Sequence, residues 1–191
     1  MNITYKTTKE NINWEEVADV LRRSHLSDHS AKEQQIAFEN SYAVVFVYDG
    51  ERIVGVARAL SDGLFQAAVY NVALDEEYQG KGIGRQLIGR LLDQLKGQNV
   101  ILYTHPHTVE MYEKFGFRRA KTALELFSGS AEALGWMEDI GFFLPKDYRF
   151  EDEKDRADMK GPTWKNPDSR IEVERGGRYV IYSAVSDSGA V

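Results

Sequence analysis

The chain has 191 residues, which is long enough for one well-buried domain with an appended segment, and its 42% hydrophobic and 28% charged residues are ordinary for a globular protein. Its net charge of −6 argues against nucleic acid as the main partner, and its lack of cysteine excludes disulfides, thiolate metal sites and a cysteine nucleophile. No apolar run reaches the roughly 20 residues of a membrane span, and the N-terminus lacks a signal-peptide pattern, so we expect no membrane association.

The first part of the chain predicts a strand, two helices and three further strands. Asn13 caps the first helix, with Glu16 in the capping-box position, and Ser30 caps the second. Asp49-Gly50 is a strong signal for a hairpin turn, which makes the strands after the helices an antiparallel meander. The four strands are predicted at residues 3–6, 42–48, 52–60 and 65–74.

Residues 69–95 are the most strongly patterned stretch, with an apolar strand, an acidic turn, a glycine-rich loop and an amphipathic helix in succession. From Gly82 to Leu95, apolar residues recur at helical spacing, which predicts a helix with one face packed on a sheet. The glycines leave the first amide N–H groups of this helix uncovered at the positive end of its dipole. The pattern therefore predicts an anion-binding loop at residues 79–85.

Two common phosphate-binding motifs do not fit this loop. A dinucleotide-binding G-x-G-x-x-G read from Gly80 places Arg85 where the third glycine belongs, and one read from Gly82 places Leu87 there. A Walker loop requires Ser or Thr after its Gly-Lys pair, but Lys81 is followed by glycine. Two interpretations of the loop remain: it is an anion-binding motif of another kind, or it is a glycine-rich helix start that binds no ligand.

The chain after the central helix predicts a strand at 100–104, a short helix within 108–117 and a last strand at 123–127. The first of these strands would lie parallel to residues 69–74 through a right-handed helical crossover, and Gly116 would end the short helix. The element order predicts an α+β fold with a mixed, largely antiparallel sheet flanked by helices.

Residues 128–191 are predicted to be a C-terminal extension to a domain formed by residues 1–127. The extension contains a short helix at 131–140, a charged loop at 151–159 and a β-hairpin that turns at Gly176-Gly177. Its two large apolar side chains, Trp136 and Trp164, indicate that the extension packs against another protein surface. A lid, a homodimer arm, an added strand and a protein-interaction adaptor are the alternatives for its role.

Two motifs resemble the GNAT acetyltransferase superfamily. QGKGIG at residues 79–84 is similar to the family signature Q/R-x-x-G-x-G/A, and TVEMYEKFGF at 108–117 is similar to the short helix that carries the family's tyrosine. The resemblance covers about residues 3–127 and is strongest to plant and cyanobacterial serotonin or lysine N-acetyltransferases. It implies a GNAT-type fold and an acetyl-CoA-dependent N-acetyltransferase, for which the cytoplasm is the default location and no metal is needed.

The resemblance also implies the cofactor contacts. The pyrophosphate of acetyl-CoA would bind the glycine loop, and its pantetheine arm would pair with the preceding strand end, where a splay or bulge could direct an N–H group at the thioester oxygen. The matching residues are Val72, Ala73, Leu74, Gln79, Gly80, Lys81, Gly82, Ile83, Gly84 and Arg85. Tyr112 matches the tyrosine that protonates the leaving thiolate, with a purely structural core aromatic as the alternative.

The general base is expected to be His105, which stands where relatives have an acidic residue seven positions before the tyrosine. An imidazole titrates near neutral pH and suits this role. Pro106 replaces the usual asparagine and removes a cofactor contact. Glu76 or Glu77 acting through water, and bulk solvent, are the alternatives.

Two functions from different classes are open. The leading one is an N-acetyltransferase in which a primary amine of a small molecule or a lysine-containing peptide attacks the acetyl thioester directly. The alternative is a non-catalytic acyl-CoA-binding or regulatory module. The resemblance implies that the first two helices and their loop line the acceptor pocket, with His25 and His29 predicted to be solvated loop residues.

Overall fold

The computed structural model describes residues 1–120 and 123–143, together with the backbone of two strands at 169–176 and 179–186. The chain divides into two compact units, Met1–Phe142 and Phe143–Val191. The strands of the first unit are β1 Ile3–Lys6, β2 Ala43–Asp49, β3 Arg52–Ser61, β4 Gln66–Leu74 and β5 Asn99–Ile101. Its α-helices are α1 Trp14–Arg23, α2 Ala31–Glu39, α3 Ile83–Asp93, α4 Val109–Glu113 and α5 Ala131–Asp139. A domain boundary after residue 127 stays a prediction.

The five strands form one sheet in the order β1-β2-β3-β4-β5. All neighbours are antiparallel except β4 and β5, which are parallel and joined through α3. The turn between β2 and β3 contains Gly50 at φ +62°, in the left-handed region that glycine adopts without strain. The predicted α+β class with a mixed, largely antiparallel sheet is confirmed.

The two faces of the sheet hold separate hydrophobic cores. Leu87 and Leu91 of α3 pack on the side chains of one face of β2, including Val45, while Val17 and Phe38 of α1 and α2 pack on the other. Alternate residues of a strand point to opposite faces, so consecutive apolar residues of β2 serve both cores. Each fully buried aliphatic or aromatic side chain contributes about 1.5–3 kcal/mol. The packing fixes α3, and therefore the glycine loop at its start, against the sheet.

The helix caps match the predictions except at Glu16. The Asn13 side chain accepts the N–H of Glu16 at 3.5 Å, but the Glu16 carboxylate accepts the N–H of Ile53 at 2.8 Å and does not complete a capping box. The prediction for Glu16 is therefore wrong, because a strand amide of β3 competes for its carboxylate. A complete capping box does form between Ser30 and Glu33 at the start of α2.

Two strand predictions differ from the structure. The strand expected at 100–104 is limited to β5, which pairs with residues 66–68 of β4 and not with residues 69–74. The strand expected at 123–127 is absent, and Leu124 and Leu126 are 99% and 98% exposed. A strand is stable only when its backbone groups pair with a neighbour, and β5 offers a pairing edge of only three residues. Alternating apolar residues alone therefore do not form a sixth strand.

The second unit contains a two-stranded antiparallel sheet made of β6 Ser169–Gly176 and β7 Tyr179–Ser186. Gly176 pairs with Tyr179, so it belongs to β6 and the turn predicted at Gly176-Gly177 is displaced. The charged segment 151–159 and Trp164 lie outside the described residues. Within the described ranges, no helix has both the length and the apolar character needed to cross a membrane.

Candidate active site

The glycine loop before α3 presents a series of uncovered backbone N–H groups. Gly80 and Gly82 have φ of +70° and +80°, and Gly82 is the N-cap of α3 without a side-chain hydrogen bond. No described residue accepts a hydrogen bond from the amides of residues 80–85. A Cβ added at Gly80 or Gly82 would meet no atom within 4 Å, so the space beside the loop is open. These amides at a helix N-terminus form an anion-binding surface.

The charged and polar side chains of the loop divide into two groups. Lys81 and Arg85 are exposed beside the amides, although Lys81 Nζ also donates to the Glu77 carbonyl oxygen at 2.5 Å. Gln79 Nε2 donates to the Leu74 carbonyl oxygen at 3.0 Å. The Gln79 side chain therefore ties the loop to the end of β4, while the two cations remain near the uncovered amides.

The end of β4 is free on the side that faces β5. The pairing with β5 stops at Ala68, so none of the described strands lies beside the edge of residues 69–74. On its other side, β4 pairs with β3 through Val56 and Ala73 and then through Arg58 and Tyr70, which leaves an extra residue in β4. Asn71 at this bulge has φ +50°, a conformation that asparagine tolerates better than most residues. The predicted strand end thus has both a splay and a bulge.

A buried carboxylate holds this end of β4 in place. Asp75 is 5% exposed and accepts two hydrogen bonds from Arg23 of α1, at 2.9 and 2.8 Å. It also accepts one from Arg52 of β3 at 3.0 Å, and its own N–H donates to the Val54 carbonyl oxygen at 2.9 Å. The strand end and the loop after it are therefore anchored to two neighbouring elements.

Tyr112 of α4 is buried, with 7% of its surface exposed. Burial raises the pKa of its hydroxyl, an effect opposed by a hydrogen bond with Thr104, and its ring meets Phe117 edge-on at 5.9 Å. The helix ends at Glu113, earlier than predicted, while Gly116 does have the predicted left-handed conformation, with φ +91°. Tyr112 is a protonated phenol at neutral pH, which is the state required of a proton donor.

His105 lies just after β5 in a small aromatic cluster. Its ring stacks on His107 with centroids 4.9 Å apart and meets the Phe142 ring edge-on at 5.7 Å. Its Nδ1 accepts the N–H of His107 at 3.2 Å. In a neutral imidazole this bond places the proton on Nε2. Nδ1 is therefore the nitrogen that can take a proton, and it already accepts the hydrogen bond from His107.

The two acidic alternatives for the base lie in the 3-10 turn Glu76–Tyr78 after β4. Both glutamates are exposed, and the carboxylate of Glu77 is 3.4 Å from Arg52.

Among the described residues, no group of three or more His, Cys, Asp or Glu side chains has an arrangement that could hold a metal ion.

A cavity of about 460 Å³ opens beside the β4 bulge. Its walls come from the loop between α1 and α2, from α2, from β3 and β4, and from the segment after β5, and its residues include His29, Gln34, Arg58, Asn71 and Tyr103. Of the first two helices and their loop, which were expected to line a pocket, α2 and the loop line this cavity, whereas no residue of α1 does. His25 is an exposed loop residue, and His29 is exposed at the rim of the cavity.

Sequence reasoning missed Arg58 and Asn71 as site residues. Arg58 Nε donates to Asn71 Oδ1 at 2.6 Å, so the two side chains are joined at the bulge. The signal for Arg58 was a cation within an otherwise apolar strand, Val54 to Ala59. Asn71 carried no comparable signal, because its left-handed backbone is visible only in the structure.

Residues 12–117, more than half of the chain, match the model of the acetyltransferase (GNAT) family. The chain is 29% identical over 120 residues to the uncharacterized N-acetyltransferase ycf52 of Pyropia yezoensis. The matched region covers 59% of this chain and 69% of that relative. It is 41% identical over 69 residues to the chloroplastic serotonin N-acetyltransferase 2 of Oryza sativa, covering 35% of this chain and 34% of the rice protein. The chain thus spans about a third of the rice relative.

Solved structures show the same fold. A probable acetyltransferase from Staphylococcus aureus superposes with a TM-score of 0.59 at 19% identity, covering 66% of this chain and all of that one. A GNAT family acetyltransferase from Elizabethkingia anophelis with acetyl-CoA bound has a TM-score of 0.51 at 21% identity, covering 63% and 78%. From the family match, the relatives and the fold together, the chain belongs to the GNAT acetyltransferase family and is an N-acetyltransferase.

Proposed function

We propose that this protein transfers an acetyl group from acetyl-CoA to a primary amine, carried either by a small molecule or by a lysine side chain. One arrangement carries the proposal: the uncovered amides of residues 80–85 at the start of α3 adjoin the free, bulged edge of β4. An anion-binding surface beside an unpaired strand edge suits a ligand that has a pyrophosphate at one end and amides along its arm.

The residues present fit acetyl-CoA. The amides of the loop bind the pyrophosphate, Lys81 and Arg85 add positive charge, and the free edge from Val72 to Leu74 binds the pantetheine amides. The acetyl-CoA-bound Elizabethkingia acetyltransferase supports this assignment through its shared fold. When bound, acetyl-CoA supplies the activated acetyl thioester.

The bulge at Asn71 interrupts the β3–β4 ladder. Backbone N–H groups released from such a ladder can donate to an oxygen that gains negative charge during acyl transfer, and such donors are worth about 10²–10³ in rate. We therefore assign stabilisation of the thioester oxygen to the backbone at the bulge. Asp75 and Gln79 act as positioning residues, because they fix the strand and the loop on either side.

Tyr112 is the proposed proton donor to the leaving thiolate. Burial raises the pKa of its hydroxyl, so the phenol retains its proton at neutral pH until a more basic group takes it. A hydrogen bond with Thr104 opposes this rise in pKa but is the smaller effect. General acid catalysis of this kind is worth about 10²–10⁴ in rate.

His105 is the proposed general base, under a condition that the structure sets. Nδ1 accepts the His107 amide, so His105 takes the proton of the amine at Nδ1 only after that 3.2 Å bond opens. Glu76 or Glu77 acting through water is the alternative route for the proton. The engaged Nδ1 also favours the second candidate function, a non-catalytic acyl-CoA-binding module, in which the imidazole is structural.

The cellular compartment is proposed from the supply of acetyl-CoA. The cytoplasm is the default, and the rice relative is named as chloroplastic, which makes a plastid the alternative. Imaging of the tagged full-length chain in its own cells distinguishes the two.

A screen for thiol release from acetyl-CoA tests the proposed function. The panel contains arylalkylamines, polyamines, aminoglycosides, amino acids and lysine peptides. Amine-dependent release of CoA, with the acetylated amine identified by mass, is the expected result. Tight binding of acetyl-CoA without turnover of any amine would favour the non-catalytic module.

A further inference from the structure

The cavity beside the β4 bulge contains a half-buried guanidinium. Arg58 projects from β3 between two aromatic rings, with its Cζ atom 5.1 Å from the Tyr70 centroid and 5.9 Å from the Phe38 centroid. Rings hold a cation in place and attract it, but they do not neutralise its charge. The residue is thus held rigidly at the wall of the cavity.

The hydrogen bonds of Arg58 are incomplete. A guanidinium has five N–H donors. Nε donates to Asn71 Oδ1 at 2.6 Å, and Nη1 donates to Ser41 Oγ at 3.4 Å, which leaves three N–H groups without an acceptor among the described residues. Among the side-chain nitrogen and oxygen atoms of the described residues, only Ser24 Oγ is buried without a partner. Nη2 of Arg58, which has no partner there, is therefore accessible, and Arg58 lines the cavity.

No described carboxylate compensates the charge of Arg58. Its hydrogen bonds go to an amide and a hydroxyl, and none of the described ion pairs includes it. Asp28 and Glu33 also line the cavity, but the Glu33 carboxylate accepts the N–H and hydroxyl of Ser30 at 2.8 and 2.7 Å. Burial lowers the pKa of Arg58, because removal from water disfavours the charged form. A bound anion would offset that cost.

The position of Arg58 relates this charge to the reaction. Its Nε is bonded to the side chain of the bulge residue Asn71, beside the backbone assigned above to the thioester oxygen. An anionic group bound to Arg58 would therefore adjoin the bulge at which the thioester is proposed to be attacked. Guanidinium binds carboxylate through paired hydrogen bonds, which also fix the orientation of the acceptor.

We propose that the acceptor carries a carboxylate close to its reactive amine, as amino acids do, and that Arg58 binds this carboxylate. The inference rests on the proposed acetyl transfer and names its acceptor class. It separates amino acids from their decarboxylated amines and from their amides, which have a similar shape without the negative charge.

Matched acceptors test the assignment. The kcat/KM of the wild-type protein is measured for tyrosine, tyramine and tyrosinamide, and for further amino acids with their matching amines and amides. The same ratios are then measured for Arg58→Lys and Arg58→Gln. Because the intrinsic basicity of each acceptor is the same for every variant, a change in ratio reports the enzyme alone.

The wild type is expected to prefer the carboxylate-bearing acceptors. Arg58→Gln is expected to reduce the ratio of carboxylate to amide by about 10- to 100-fold, the value of a charge-assisted hydrogen bond, with Arg58→Lys in between. Equal use of charged and neutral acceptors by the wild type would overturn the proposal without any variant. A preference that persists unchanged in both variants would overturn the role of Arg58.

Calorimetry with N-acetyl-tyrosine and N-acetyl-tyrosinamide separates this inference from the proposed function. Tighter binding of the carboxylate that depends on Arg58, without turnover of any amine, would support the site and refute the enzyme activity. Turnover of amines without a carboxylate preference would do the reverse. Absence of both would overturn both.

Discussion

Gly84 provides a test of the cofactor loop in which folding and binding separate. It lies in the first turn of α3, and a Cβ added there would meet only Leu74 Cδ2, at an ordinary contact distance of 3.7 Å. Valine is slightly more favourable than glycine in a helix, by less than about 0.5 kcal/mol, so Gly84→Val is expected to leave the stability of the free protein nearly unchanged. Its methyl groups, however, would occupy the space over the uncovered amides.

The expected loss of affinity follows from those amides. Removing one charge-assisted hydrogen bond to the pyrophosphate costs about 1.5–3 kcal/mol, so Gly84→Val is expected to raise the Kd for CoA by about 10- to 150-fold. Calorimetric titration with CoA measures the affinity, and urea unfolding measures the stability. Gly82→Val is less suitable, because its φ of +80° strains any other residue.

Gly89 supplies the matched control. It lies in the same helix about 7.5 Å further along the axis, and an added Cβ would meet no atom within 4 Å. Gly89→Val is expected to bind CoA like the wild type. If Gly84→Val also bound CoA with wild-type affinity, or if Gly89→Val lost as much, the loop would not be the pyrophosphate site.

Three further predictions concern the residues around the loop. Tyr112→Phe is expected to lower kcat by about 10²–10⁴ in steady-state assays with little change in KM for acetyl-CoA, and a fully active variant would make Tyr112 a packing residue. Because burial raises the pKa of this phenol above its ordinary value near 10, activity lost through its ionisation is expected only above that pH. His105→Ala is expected to lower kcat/KM, whereas His107→Ala, which retains the amide that His105 accepts, should keep it near the wild-type value; equal rates of both variants and the wild type on one acceptor would exclude His105 as the base. Asp75→Asn is expected to reduce the free energy of unfolding by about 2 kcal/mol, measured by urea unfolding. The change removes one acceptor oxygen and the negative charge opposite Arg23 and Arg52, both of which can be solvated. A loss below about 0.5 kcal/mol would show that the anchor is not needed.

The elements that the sequence predicted well are those with strong periodicity. The apolar face of α3 and the meander from β2 to β4 depend on the spacing of hydrophobic residues, which is a local property. The glycine loop was also readable, because glycine adopts the positive φ values seen at Gly80 and Gly82 without the strain that most other residues incur.

The predictions that differ depend on distant partners. Whether residues 123–127 form a strand is decided by the length of the neighbouring edge, and β5 is too short. The carboxylate of Glu16 has two available amides, and only the folded chain shows that Ile53 is the donor it accepts. Such competition between local and long-range partners does not appear in residue spacing.

Only those residues of the candidate site that lie in contiguous motifs could be proposed from the sequence, because contacts between distant residues do not appear in residue spacing. The loop, the strand end and Tyr112 come from contiguous motifs. Arg58 and Asn71, in contrast, meet across the β3–β4 pair, and the bulge that brings them together changes the register of that pair. A cation within an apolar strand was the one available clue.

Mass spectrometry after a single turnover tests acetyl transfer most directly. The wild-type protein is mixed with acetyl-CoA, first without and then with an amino acid acceptor, and both protein and small molecules are weighed. The account predicts no acetylated protein in the first mixture and stoichiometric N-acetylated acceptor with free CoA in the second. Acetyl-CoA that stays intact with every acceptor, while binding at the loop as Gly84→Val reports, would contradict it.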